Sequence, residues 1–110
     1  MRQRLMQDLA DLDGVEWVVL IGDELLPLAV TPASEQAEAA AAMWVGLELR
    51  AEVLLGGIPE RLTIRADAAM MLSHRLDLAH VLLLRAGPEG NLGAIRLALT
   101  DAAERMVALI

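Results

Sequence analysis

Ser73 and His74 are neighbours, and a hydroxyl beside an imidazole is the raw material of nucleophilic hydrolysis. The segment around them reads as a strand, where successive side chains point to opposite faces, so the two cannot act as nucleophile and base. His74, Asp77 and His80 carry metal-donor atoms. Their spacing matches no helical i, i+4 pair, and the chain holds only 2 histidines. Glu48 and Glu52 could divide acid and base roles if burial separated their pKa values; their position predicts a solvated helix face instead. Gly56-Gly57 and the Gly87-Pro88-Glu89-Gly90 loop raise the question of phosphate binding. Neither fits G-x-x-x-x-G-K-[ST], and every basic residue is Arg, so no lysine can reach a phosphate. The second loop precedes a helix start, which attracts anions, but Glu89 opposes one there. No catalytic residue, metal ligand or cofactor is therefore assigned, and the chain reads as a non-enzyme.

Composition narrows the alternatives. Acidic residues number 16 against 9 basic ones, a net charge of −7 with no basic stripe, which argues against nucleic-acid partners. There is no cysteine, so disulfides, thiolate metal sites and thiol catalysis are excluded. Tyr and Phe are absent and Trp occurs twice, so no stacking platform for bases can be built. The longest apolar run, Ala39 to Leu47, is far shorter than the ~20 residues of a membrane helix. Met1 to Gly14 interleaves charges with Leu and lacks the apolar centre of a secretory signal, which predicts a cytoplasmic protein without membrane insertion. At 110 residues the chain predicts one domain, 1–110, with an aliphatic core.

The positioning elements follow from periodicity. Met1–Leu12 carries Leu5, Leu9 and Leu12 at helical spacing and ends at Asp13-Gly14. Val15–Ile21 is a strand, apolar on both faces from Trp17 onward and hence central. Gly22-Asp23 reads as a turn, and Leu25–Val30 as an antiparallel return strand placed at a sheet edge by Pro27. Thr31-Pro32 reads as N-cap and first position of a long helix that Gly56-Gly57 stops near Leu55. Ser34, Glu38, Glu48 and Glu52 mark its expected wet side. Ala37, Ala40, Trp44, Leu47, Ala51 and Leu55 line one flank, and Met43, Gly46, Arg50 and Val53 another. That apolar arc is wider than packing on one sheet requires, and it predicts a partner on this helix.

Glu60–Ala66 alternates Leu62 and Ile64 with Arg61, Thr63 and Arg65 and predicts a half-exposed strand. Strands over Ala69–Leu76 and Ala79–Arg85 follow. Asn91 then caps a last helix with the stripe Leu92, Ile95, Leu99, Ala102, Met106 and Leu109. The predicted fold is α/β (α+β), ordered α-β-β-α-β-β-β-α. Its five-stranded, mainly antiparallel sheet has the long helix on one face and the two terminal helices on the other.

This layout resembles the roadblock/LC7 domain. The likeness runs through Leu9–Leu12, Gly14-Val15, Val18 to Gly22-Asp23, the Ala-rich helix Ala37–Leu55, Leu62–Arg65, Val81–Leu84, and Asn91-Leu92-Gly93 leading into Arg96-Leu97. Profilin-like and longin domains share much of it. The resemblance implies a non-catalytic module that forms homodimers, or pairs with a roadblock relative, through the second helix and third strand. It implies an interface at Pro32–Leu55 and Glu60–Ala66: Ala40, Met43, Trp44, Gly46, Leu47, Arg50, Arg61, Thr63 and Arg65. Bacterial members of the family regulate Ras-like small GTPases, and other members act as scaffolds, which implies a small-GTPase partner here. Two features depart from the pattern: Gly22-Asp23-Glu24 stands where Asp-x-x-Gly is commoner, and the chain lacks the C-terminal extension of some bacterial members. The alternative is a small-molecule sensor of profilin-like fold, which would need an internal pocket.

Overall fold

The structure, a computed structural model, describes residues 1–110 apart from the side chain of Asp23. The elements are α1 (Arg2–Ala10), β1 (Val15–Ile21), a 3-10 turn (Asp23–Leu25), β2 (Pro27–Thr31), α2 (Glu35–Leu55), β3 (Arg61–Arg65), β4 (Met70–Arg75), β5 (Val81–Ala86) and α3 (Leu92–Val107). The strands form one sheet in the order β2-β1-β5-β4-β3, with all neighbours antiparallel. The predicted element order and sheet are thus observed.

Period-2 alternation splits the core into two layers. Val18, Leu20, Met70, Leu72, Leu82 and Leu84 pack against Leu5, Met6 and Leu9 of α1 and Ile95, Leu99 and Met106 of α3. Trp17, Val19, Ile21, Val81 and Leu83 pack against Ala37, Ala41 and Trp44 of α2. The apolar character of β1 and β5 on both faces is what places them at the centre of the sheet. β2 and β3 are the edges. Pro27 sits on the β2 edge, where the register with β1 shifts between Leu20 and Ile21.

Several boundaries differ from the reading above. Thr31 does not cap α2: it ends β2, paired with Val18, and is buried. Ser34 is the cap, its Oγ accepting from the Ala37 amide at 3.1 Å. β2 begins at Pro27 because Glu24 and Leu25 adopt positive φ (59° and 64°), left-handed values that a glycine would meet at less cost. Leu109 lies beyond the end of α3, outside its buried stripe. Asn91 caps α3 as expected, its Oδ1 accepting from the Ala94 amide at 3.0 Å.

Two glycines are required by the backbone. Gly56 closes α2 at φ 76° in open surroundings. Gly14 has φ 89°, and a Cβ there would come within 2.7 Å of the Gly90 Cα. Gly56→Ala should therefore cost only the left-handed penalty of about 1 kcal/mol. Gly14→Ala should cost clearly more, because the Gly14 and Gly90 backbones must also separate. Urea unfolding of the two variants side by side checks this ranking.

Candidate interaction site

α2 carries two stripes of the same spacing. Ala37, Ala41, Trp44 and Glu48 recur at i, i+4, i+7 and i+11 and are buried on the sheet. Met43, Leu47, Arg50 and Leu54 repeat that spacing on the neighbouring flank and are exposed. Met43 is 77% exposed and Leu54 85%. Leu49, Val53 and Leu55 add further uncovered apolar surface.

Glu48 is the largest departure from the sequence reading, which put it on the wet side of α2. It is buried. Its Oε1 accepts from Trp44 Nε1 at 2.9 Å and Ser73 Oγ at 3.0 Å, and its Oε2 from Arg75 Nη2 at 2.6 Å. Arg75 also donates through Nη1 to the Asp77 and Leu78 carbonyls, while its Nε is buried without a partner. The carboxylate thus joins α2 to β4, and three donors repay much of its burial. The helical spacing from Ala37 through Trp44 to Glu48, with Ser73 and Arg75 alternating on β4, is the signal that points to it.

Between α2 and the far edge of the sheet lies an apolar groove of about 520 Å³, lined by Ala40, Met43, Trp44, Leu47, Ile64, Ala66, Ala68, Ala69, Met71 and Arg85. Trp44 is a core residue that shows the groove only an edge. Arg85, not anticipated from the sequence, is held beside the groove by Glu16 through a 2.7 Å Nε–Oε2 contact. Gly46 and Arg50 are exposed, and a Cβ at Gly46 would meet nothing.

β3 bounds the groove and has a partner on one side only. The Glu60 carbonyl accepts from the Arg75 amide at 2.8 Å, and the Ala66 amide donates to the Ala69 carbonyl at 2.9 Å. With the register Arg61↔His74 to Arg65↔Met70, the even positions are those bonded to β4. The N–H and C=O groups of Arg61, Thr63 and Arg65 therefore point out of the sheet along an open edge. Leu62 and Ile64 project their side chains toward α2. Arg61, Thr63 and Arg65 project theirs to the α3 face, where Arg96 Nη2 lies 3.4 Å from Thr63 Oγ1. The anticipated interface residues thus divide between two faces and meet at the strand edge.

Of the residues first considered for chemistry, Asp77 meets His80 and Glu48 meets Ser73. Ser73 faces α2 and His74 faces α3. Asp77 Oδ1 accepts from the Ala79 and His80 amides and lies 2.8 Å from His80 Nδ1 in the β4–β5 turn. Among the described residues, no group of three His, Cys, Asp or Glu could hold a metal ion. No helix of the structure is long and apolar enough to cross a membrane.

Solved structures share this architecture. A roadblock/LC7 domain from Streptomyces avermitilis superposes with a TM-score of 0.80 at 17% identity, covering 94% of this chain and 92% of that one. The fold is that of the roadblock/LC7 domain. The gliding protein MglB from Thermus thermophilus gives 0.85 at 16% identity over 97% and 86% of the two chains. An MglB solved with a tetrameric arrangement gives 0.84 at 16% over 97% and 85%. No family model matches the sequence, and no curated protein matches it significantly.

Two predictions follow from the buried contacts. Glu48→Ala leaves Arg75 without its carboxylate and opens space beneath α2. It should cost about 3 kcal/mol, and Glu48→Gln, which keeps acceptors for Trp44 and Ser73, less; chemical denaturation measures both. Burial, reinforced by the Arg61 guanidinium, holds the His74 imidazole below its ordinary value. The unfolded chain then binds that proton more readily, so stability is full above about pH 6.5 and declines as the pH falls through this value toward the folded one. His74→Gln should flatten this part of a melting-temperature profile between about pH 7 and 5.

Proposed function

We propose that residues 1–110 form one roadblock/LC7-like domain of the bacterial kind. It is a non-catalytic cytoplasmic module that self-associates through α2 and β3 and binds or regulates a Ras-like small GTPase. One observation carries the self-association. The exposed stripe of α2, Ile64 and the unpaired edge of β3 form one continuous surface that is apolar on its face and rich in free backbone groups on its rim. A second copy satisfies both at once, since a two-fold operation sets the same stripe and the same edge against themselves. The tetrameric arrangement of a structurally similar MglB supports self-association as such.

The GTPase partner is supported by the likeness to the gliding protein MglB and by the family resemblance of the sequence. The mechanism is placement: the paired module holds the switch regions of the GTPase in their active arrangement, and any catalytic arginine comes from the GTPase. A sensor role has less support. The groove is open along its length and holds one charged side chain, Arg85, whereas a ligand pocket needs enclosing walls and several convergent polar groups.

Light scattering should give twice the 11.8 kDa chain mass at micromolar concentration. Met43→Glu with Leu54→Glu should give the single-chain mass with an unchanged melt, because both residues are exposed within one chain. The tagged protein, incubated in native lysate, should capture a Ras-like GTPase preferentially with a GTP analogue over GDP. A monomeric wild type, or equal recovery in both nucleotide states, overturns the corresponding half of the reading.

A further inference from the structure

The open edge of β3 constrains how a second copy can pair with it, and this inference rests on the proposed self-association through that edge. Outward backbone groups belong to odd-numbered residues, so a two-fold antiparallel ladder must pair odd positions with odd. Only a few registers remain, distinguished by the residue on the two-fold axis.

Centring on Leu62 extends the ladder onto Pro59, which has no N–H to donate, and sets Glu60 against the partner's Ile64. Centring on Thr63 places Arg61 opposite the partner's Arg65 twice over. Centring on Arg65 stacks that arginine on its own copy. Like charges directly opposite destabilise a pair of strands. Centring on Ile64 sets no like charges directly opposite each other and no proline in the ladder. Arg65 then lies opposite the partner's Thr63, Leu62 opposite the partner's Ala66, and Ile64 opposite the partner's Ile64. Arg61 meets the partner's Asp67, just past the end of β3, in two symmetric opposite-charge pairs. Neither Arg61 nor Asp67 takes part in an ion pair among the described residues of one chain.

We propose that two copies join β3 edge to edge in the register centred on Ile64, with Arg61 of each chain facing Asp67 of the partner subunit. The axis stands perpendicular to the sheet, so both α2 helices lie on one side of a continuous ten-stranded sheet. The exposed Ile64 side chains meet beneath the two Met43–Leu47 flanks, on the same side as the groove. The charge pairs choose among registers that the apolar surface alone would leave nearly equal.

The absence of native cysteine makes the test direct. Leu62→Cys, Thr63→Cys and Ile64→Cys are each oxidised mildly, and covalent dimer is measured on a non-reducing gel. On the axis, Ile64 occupies a non-hydrogen-bonded pair with Cα atoms about 4.5 Å apart, within disulfide range. Ile64→Cys should therefore cross-link well ahead of the other two. A lead for Thr63→Cys or Leu62→Cys overturns the register. Failure of all three in a protein of dimeric mass likewise overturns the register centred on Ile64. A monomeric wild type overturns the proposed self-association itself, so the failures are distinguishable. Charge exchange gives a second reading: Arg61→Asp or Asp67→Arg alone should weaken dimerisation about tenfold, and the double variant should recover most of it. Loss without recovery removes the Arg61–Asp67 pairing.

Discussion

The carboxylate of Glu48 sets the rotation of α2, and that rotation decides what the molecule offers to a partner. Buried beneath the helix, it cannot leave Ser73 and Arg75 of β4 or the indole of Trp44 without stranding several polar groups at once. Apolar packing of Ala37 and Ala41 would tolerate a helix turned by tens of degrees, because small methyl groups define an angle poorly. Directional hydrogen bonds do not. With Glu48 pinned down, the stripe from Met43 to Leu54 must face outward beside β3, and the groove follows from that angle.

The sheet adds a second asymmetry. Its centre, β1 and β5, is covered on both faces, while its two edges are treated differently. β2 ends the sheet with a proline and a register shift, features that discourage a further strand. β3 presents alternating free backbone groups with neither device in its five residues. The molecule is thus closed to strand addition on one side and open on the other, and the open side adjoins the uncovered helix flank.

Much of this was legible in the residues. β1 and β5 announce their central position by apolar side chains in consecutive positions, and β3 announces one exposed face by alternating Arg and Thr with Leu and Ile, while its place at the edge comes from the sheet order. Asn91 and Gly56 are local signals and mark their helix ends where expected. Thr31-Pro32 misleads because a good capping pair can equally finish a strand, and Ser34 lies three residues on. Glu48 misleads more deeply. Charge alone assigns a glutamate to solvent, and its burial depends on Ser73 and Arg75, 25 and 27 residues away in the chain. The split of the β3 side chains from its outward backbone likewise needs the pairing with β4. Sequence alternation separates the two faces of that strand without showing which face meets which helix.

The chain's aromatic economy has an optical consequence. Trp17 and Trp44 both lie in the layer beneath α2, the layer packed by α1 and α3 has none, and Tyr and Phe are absent throughout. Intrinsic fluorescence and near-ultraviolet dichroism therefore view the protein from one side. They register loosening or covering of the α2 layer and are blind to the opposite one, which makes the native chain a reporter, without any label, for events at its candidate interaction face.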